Sequence, residues 1–235
     1  MSQQADMLAA NLAAVRTNIA RAAERAGRHY NEITLIAVSK TQPLALIQSA
    51  YDLGITNFGE NRVQEAASKV ADFHPHDVRW HMIGHLQSNK VSKVVGTFAS
   101  VHSVDSLHLA QALDRHAAQQ ELRLPILLEV NMAGEASKSG MSPTDTPELA
   151  RQIAALPHLD VQGLMTVAPF VPDPEEVRPV FRALRELRDH LRITLPHCSW
   201  EQLSMGMTAD YTVAIEEGAT MVRVGRAIFG ERTYR

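Results

Sequence analysis

Apolar positions along the chain alternate between two periods. Leu8, Leu12, Val15 and Ile19 recur at helical spacing and Gly27 ends the run, which predicts an N-terminal helix. Ile33–Val38 is then a short apolar run rich in branched residues, read as a first strand. Pro43 suits the first turn of the helix after it. Further strand-like segments are Ile55–Phe58, Arg79–Ile83, Ser100–Val104, Ile126–Asn131, Val161–Val167, Gln202–Met205 and Met221–Gly225. Helix-like stretches separate them, among them Leu86–Val95, Leu107–Gln120, Pro147–Leu156 and Val177–Leu191. The last of these carries Val177, Phe181, Leu184, Leu187 and Leu191 on one face.

Strands separated by helices imply a parallel sheet with right-handed crossovers, and eight of them favour a closed (β/α)8 (TIM) barrel over an open sheet. The 235 residues are close to the roughly 250 typical of that fold. No linker, low-complexity tract or charge block marks a boundary, so one domain over 1–235 is expected, with the first helix as an extra element. Phe170–Glu176 reads as a βα loop.

Composition narrows the function classes. The net charge of −3, from 23 basic and 26 acidic residues, argues against nucleic-acid and anionic-membrane partners. Cys198 is the one cysteine, so no intramolecular disulfide can form. The N-terminus lacks a basic segment followed by an apolar core, and no apolar run approaches the ~20 residues of a spanning helix. A cytoplasmic protein is expected.

Chemistry in such a barrel belongs at the C-terminal ends of the strands. The first strand ends in Ser39-Lys40-Thr41. A lysine against apolar walls loses its proton more readily and can attack a carbonyl as a neutral amine, though a lysine can equally mark the solvated end of a strand. The seventh strand leads into Ser204-Met205-Gly206-Met207-Thr208 before a helix (Ala209–Glu217), and the eighth into Gly225-Arg226. Glycine admits a ligand to the backbone and helix N-termini attract phosphate, so a phosphate site and two plain tight turns both fit. Arg223 shares a strand face with Met221 and Gly225. Once buried it needs a partner, either a ligand or a carboxylate such as Glu60 or Glu129.

Other signals carry less. The 11 histidines, His74, His76, His81 and His85 among them, form no metal motif, and no metal is expected. His197-Cys198 precedes the seventh strand, on the face away from the expected site, so Cys198 reads as a packing residue. No nucleotide-binding glycine motif occurs. Glu216-Glu217 reads as a solvated helix pair.

Ala37–Thr41, Phe58–Asn61, Trp80–Lys90, Asn131 with Glu135, Lys138, Ser139 and Gly140, Gly163–Met165, Leu203–Met207, and Val222–Gly225 with Ala227–Gly230 together resemble the pyridoxal phosphate homeostasis protein family. The match runs in order from about the first helix to the C-terminus. The resemblance implies an alanine-racemase-like barrel of PLP fold type III. It implies pyridoxal 5′-phosphate (PLP) as cofactor, held as a Schiff base on Lys40. It places Asn61 beside the ring, Ser204 and the backbone of Gly225-Arg226 on the phosphate, and Arg223 against the pyridine nitrogen. Two positions depart from the family's habit: Arg226 stands where a small hydroxyl residue is common, and Thr208 where serine is common.

An arginine at the ring nitrogen leaves that nitrogen unprotonated and the ring a weaker electron sink, which suits holding the cofactor more than carbanion chemistry. The resemblance implies a PLP carrier serving intracellular vitamin B6 homeostasis, without classical turnover and with no catalytic residue assigned. PLP-dependent apoenzymes are the expected recipients, and a monomer the expected state. The rivals are a small PLP-dependent amino-acid racemase and a lysine-dependent aldolase without PLP. Against the racemase, Tyr30, Tyr51, Tyr211 and Tyr234 all fall away from the predicted strand ends, and the chain stops soon after the eighth strand.

Overall fold

The first strand, β1 (Thr34–Val38), has parallel neighbours on both edges. On one side β2 (Asn57–Glu60) sets Phe58 opposite Ala37; on the other β8 (Met221–Val224) sets Met221 opposite Thr34. That second pairing closes the sheet. The remaining strands are β3 (Arg79–Met82), β4 (Ser100–Val104), β5 (Leu124–Glu129), β6 (Leu159–Met165) and β7 (Gln202–Ser204), and all eight lie in sequence order around a closed barrel. This computed structural model describes residues 3–135 and 139–230.

Helices cover the barrel. They are α2 (Leu44–Asp52), α3 (Val63–Asp72), α4 (Leu107–Gln119), α5 (Thr146–Ala154), α6 (Arg178–Thr194), α7 (Tyr211–Glu216) and the short α8 (Arg226–Phe229). The additional α1 (Gln3–Arg25) buries Leu8, Leu12, Val15 and Ile19, as its spacing predicts, and packs on α7 and α8. Strand positions alternate between two environments. Leu35, Ala37, Phe58, Trp80, Met82, Val222 and Val224 join the continuous apolar layer under the helices. Ile36, Leu127 and Met165, equally buried but outside that layer, face the barrel axis.

The structure corrects two sequence expectations here. Leu86–Val95 is not an α-helix: Ser88–Lys93 forms a 3-10 helix between β3 and β4. Leu86, Val91, Val94 and Val95 are buried, so the apolar spacing is real, but Gly96, at φ 79°, ends the run within a tighter coil. Glu217 is not solvated. It is buried on one edge of α7 and takes ion pairs from Arg178 (3.2 Å), Arg182 (2.9 Å) and Arg185 (3.3 Å) of α6. The Arg182 hydrogen bond holds its carboxyl below the usual range, against the effect of burial. The neighbouring Glu216 pairs with Arg178 and Arg25.

One carboxylate thus clamps α6 to α7. Glu217→Ala is expected to lower stability by about 1–2 kcal/mol, the cost of several partly exposed charged hydrogen bonds. Urea unfolding with an unchanged slope and a lowered midpoint is the expected readout, and the same midpoint in both proteins would contradict the clamp.

Candidate functional site

The C-terminal ends of six strands (all but β4 and β5) border a cavity of about 520 Å³. Val38 and Lys40 come from the end of β1, Asn61 from β2, Ile83 from β3, and Val167, Pro169, Phe170, Val171 and Pro174 from the loop after β6. Met207, Thr208, Ala209 and Asp210 follow β7, and Arg223, Gly225 and Arg226 belong to the end of β8. Phe170–Glu176 is therefore the wall-forming βα loop that its composition suggested, with Phe170 82% exposed at the lip.

Lys40 is half-buried, and its backbone is held from behind. Lys69 of α3 donates to the Ser39 carbonyl at 2.8 Å, while the Thr41 N–H donates to Glu65, one turn earlier on α3. Lys69 also bonds Glu65 at 2.7 Å and the buried Glu60 at 2.9 Å. Thr41 sits at φ 65°, a left-handed conformation that a β-branched residue adopts at a cost. Burial pushes the Glu60 carboxyl up, and the Ser39 hydroxyl and Lys69 bonds offset part of that.

Asn61 lies against Gly84 across the β2–β3 ends. A Cβ on Gly84 would come within 2.7 Å of Asn61 Cα, so only glycine admits this approach. The Asn61 Oδ1 is buried without a hydrogen-bond partner.

Arg223 closes the cavity floor. Its Nη1 donates to Ser204 Oγ at 2.7 Å and its Nη2 to the Thr166 carbonyl at 2.8 Å. Burial brings its pKa down to about 10, opposed by the charges of Glu129 and Asp210, so it stays a cation at neutral pH. Neither Glu60 nor Glu129 is its hydrogen-bonded partner: Glu60 points outward to α3, and Glu129 acts only through its field.

Of the six residues singled out by sequence, Lys40, Asn61, Arg223, Gly225 and Arg226 line the cavity; Ser204 does not. It is the last residue of β7, fully buried, with its hydroxyl engaged by Arg223 and by His102 Nδ1 at 2.9 Å. The rim position falls to Thr208, beyond the turn at Gly206 (φ 92°). Asp210 fixes that turn by accepting the Met207 N–H at 2.6 Å. Gly225 abuts β1: an added Cβ would lie 3.3 Å from Val38 Cβ.

Sequence reading missed Asp210 as a lining residue and gave no role to His81 and His102. The signal for the histidines was present in the period-two pattern, which puts His102 on one strand face with Ser100 and sets His81 between the apolar Trp80 and Met82. Burial lowers His81 to about 3 and His102 well below the usual imidazole range, so both are neutral. Asn131 Nδ2 donates to the Glu135 carbonyl at 2.9 Å; Lys138 and Tyr234 lie outside the described residues. Cys198 is half-buried against the apolar layer, and burial raises its thiol. Among the described residues no three His, Cys, Asp or Glu side chains converge as a metal site, and no helix is long and apolar enough to cross a membrane.

Residues 10–233 match the alanine racemase, N-terminal domain family. A pyridoxal phosphate homeostasis protein from Aquifex aeolicus is 44% identical over 95% of this chain and 97% of its own. The chain belongs to the pyridoxal phosphate homeostasis protein family. Among solved structures similar to this family member is PipY of Synechococcus elongatus with PLP bound, at 37% identity and a TM-score of 0.84, covering 95% of this chain and 100% of that one. The family's barrel extends further: alanine racemase from Corynebacterium glutamicum shares the fold at 17% identity and a TM-score of 0.73, with 97% of this chain covering 62% of that one.

Glu129 supplies a pH test of the site's electrostatics. Burial, then the Asp105 charge, raise its pKa to about 7, against the pull of Arg223. The folded pKa exceeds the unfolded one, so this group's contribution to stability is greatest below about pH 4.5 and is lost as pH rises through about 7. Relative to the parent, Glu129→Gln should therefore gain denaturant resistance between pH 5 and pH 8. A pH-independent difference would contradict the burial.

Proposed function

We propose that the cavity holds PLP covalently through the Lys40 amine, and that the protein serves intracellular PLP homeostasis as a carrier, without classical enzymatic turnover. The observation that carries this reading is one arrangement: an amine, a buried cation and a phosphate-suited rim around one cavity. Lys40 stands on the β1 side, Arg223 on the floor, and Thr208 with Gly225-Arg226 on the far rim. The unpartnered Asn61 Oδ1 fits a polar ring substituent beside it. The cofactor is named by the relatives, which are called PLP homeostasis proteins, and by PipY, which has PLP bound.

Each residue has a definable task in this reading. Lys40 Nζ is the attachment point, and its clamped backbone limits it to side-chain motion. Arg223 presents a charge that it does not surrender toward the ring nitrogen. Thr208 offers the hydroxyl contact that sequence reasoning gave to Ser204, and the backbone at Gly225-Arg226 offers N–H groups suited to a dianion. When bound, PLP supplies an electrophilic aldehyde and an electron-withdrawing ring. The chain's own residues bind and orient it. A cytoplasmic location and PLP-dependent apoenzymes as recipients complete the proposal.

The purified protein should show a visible absorption band with PLP, and borohydride followed by peptide mapping should label Lys40. A label on another lysine, or an unchanged band in Lys40→Ala, would overturn the assignment. In a PLP titration, Thr208→Ala should weaken binding by about 1–2 kcal/mol, as for a lost hydrogen bond to a charged group. Gly225→Val should weaken it at least as much, because the β8 end must shift away from Val38.

Racemisation needs two acid–base groups on opposite faces of the substrate. Lys40 could serve one. Tyr30, Tyr51 and Tyr211 do not line the cavity, and Tyr211 accepts a hydrogen bond from Asn18 at 3.1 Å. Asp210, on the lining, is committed to the Met207 N–H. Formation of D-alanine from L-alanine by PLP-loaded protein should therefore stay at the level of Lys40→Ala. Turnover of even a few per second, near the low end of ordinary enzymes, would favour the racemase reading instead.

A further inference from the structure

Polar side chains run through the barrel interior from Arg223 to Asn57, and the direction of every hydrogen bond follows from the first. Arg223 Nη1 can only donate, and it donates to Ser204 Oγ. Ser204 then directs its one hydrogen to its other partner, His102 Nδ1, 2.9 Å away. A neutral His102 must carry its proton on Nε2. That nitrogen lies 3.0 Å from Ser100 Oγ and 3.3 Å from His81 Nδ1, while Ser100 Oγ lies 2.8 Å from the same His81 nitrogen. Ser100 Oγ accepts from His102 Nε2 and has His81 Nδ1 as the remaining side-chain partner for its own hydrogen, so His81 Nδ1 is the acceptor. His81 therefore holds its proton on Nε2, aimed at Asn57 Oδ1 at 3.0 Å. The Asn57 amide is oriented to match, its Nδ2 donating to Thr56 Oγ1 at 3.3 Å.

We infer that Ser204, His102, Ser100, His81 and Asn57 form a one-way hydrogen-bond relay that fixes the guanidinium of Arg223 in the cavity, and that they are positioning residues for the ligand which Arg223 meets. All the hydrogens point away from Arg223. Ser204 consequently presents a lone pair, never its O–H, to the guanidinium. The relay ends at the opposite mouth of the barrel, where Asn57 and Thr34, the first residues of β2 and β1, line a shallow depression of about 270 Å³. Burial supports the assignment by keeping both imidazoles neutral, since a proton added to His102 Nδ1 would set two donors against Ser204. The identity of the ligand rests on the PLP reading above; the direction of the relay does not.

Two measurements test this. The first is nitrogen-15 NMR of histidine-labelled protein without PLP, with the two rings assigned through their mutual contact at a centroid separation of 5.2 Å. Both should be neutral Nε2–H tautomers that do not titrate between pH 8 and pH 5. A proton on Nδ1 of either ring overturns the relay. The second compares PLP binding and the bound-cofactor spectrum in Ser204→Ala, His102→Leu and His102→Asn. The first two should shift the band and lose about tenfold in affinity, as for a displaced charged partner. The third, whose Oδ1 can still accept from Ser204, should recover most of both. Parent-like spectra and affinities in Ser204→Ala and His102→Leu overturn the positioning role. If a variant does not fold, the tautomers of the unmodified protein still decide. If the parent binds no PLP, the proposed function fails while the tautomer result stands on its own.

Discussion

A guanidinium enclosed in the barrel is the constraint around which the interior is arranged. Arg223 is 4% exposed and keeps its charge at neutral pH. An uncompensated buried ion costs several kcal/mol, so its surroundings must supply acceptors and opposite charge. Ser204 Oγ and the Thr166 carbonyl do the first, and Glu129 and Asp210 do the second at longer range. Barrels of this kind commonly fill their axis with branched apolar side chains. Here Ile36, Leu127 and Met165 share it with two histidines and two serines. A polar interior of this sort is tolerable only where each group finds a partner, and the chain from Ser204 to Asn57 meets that condition.

The apolar work is done elsewhere. The layer between strands and helices is continuous, and α1 extends it with six aliphatic residues, Leu8, Leu12, Val15, Ile19, Ala22 and Ala23. With stability supplied outside the strands, the inner face and the C-terminal rim are free to carry polar residues. The glycines near the rim serve the same division: Gly84 lets Asn61 approach, and Gly206 turns the chain so that Thr208 reaches the cavity.

Much of this was legible in the sequence, because two hydrophobic periods identify strands and helices without reference to partners. Ser100–Val104 is placed to the residue, and the other strands to within two or so. The rim residues could be found because a strand end is a local property. What escaped was non-local. Ser204 and Thr208 are four residues apart and chemically alike, and only the turn at Gly206 decides which faces the cavity. Glu217 looks like any helix-end carboxylate until three arginines of α6 are seen around it. His102 and Ser204 are far apart in sequence and meet only across the closed barrel, so no window on the chain could have joined them. Leu86–Val95 failed for another reason: 3-10 and α-helices bury similarly spaced residues, and the period alone does not separate them.

The clamp behind Lys40 bears on how such a site can load and unload. The Ser39 carbonyl and the Thr41 N–H are both tied to α3, and Thr41 is held in a conformation that it would not choose alone. A ligand arriving at the amine therefore orders no backbone. At this point of the chain the ordering cost is that of one side chain, at most about 2 kcal/mol for a lysine. Release is correspondingly uncoupled from any local melting. A reaction at this amine is then a side-chain event, with the β1 end and α3 staying in the places that the Lys69 and Glu65 bonds give them.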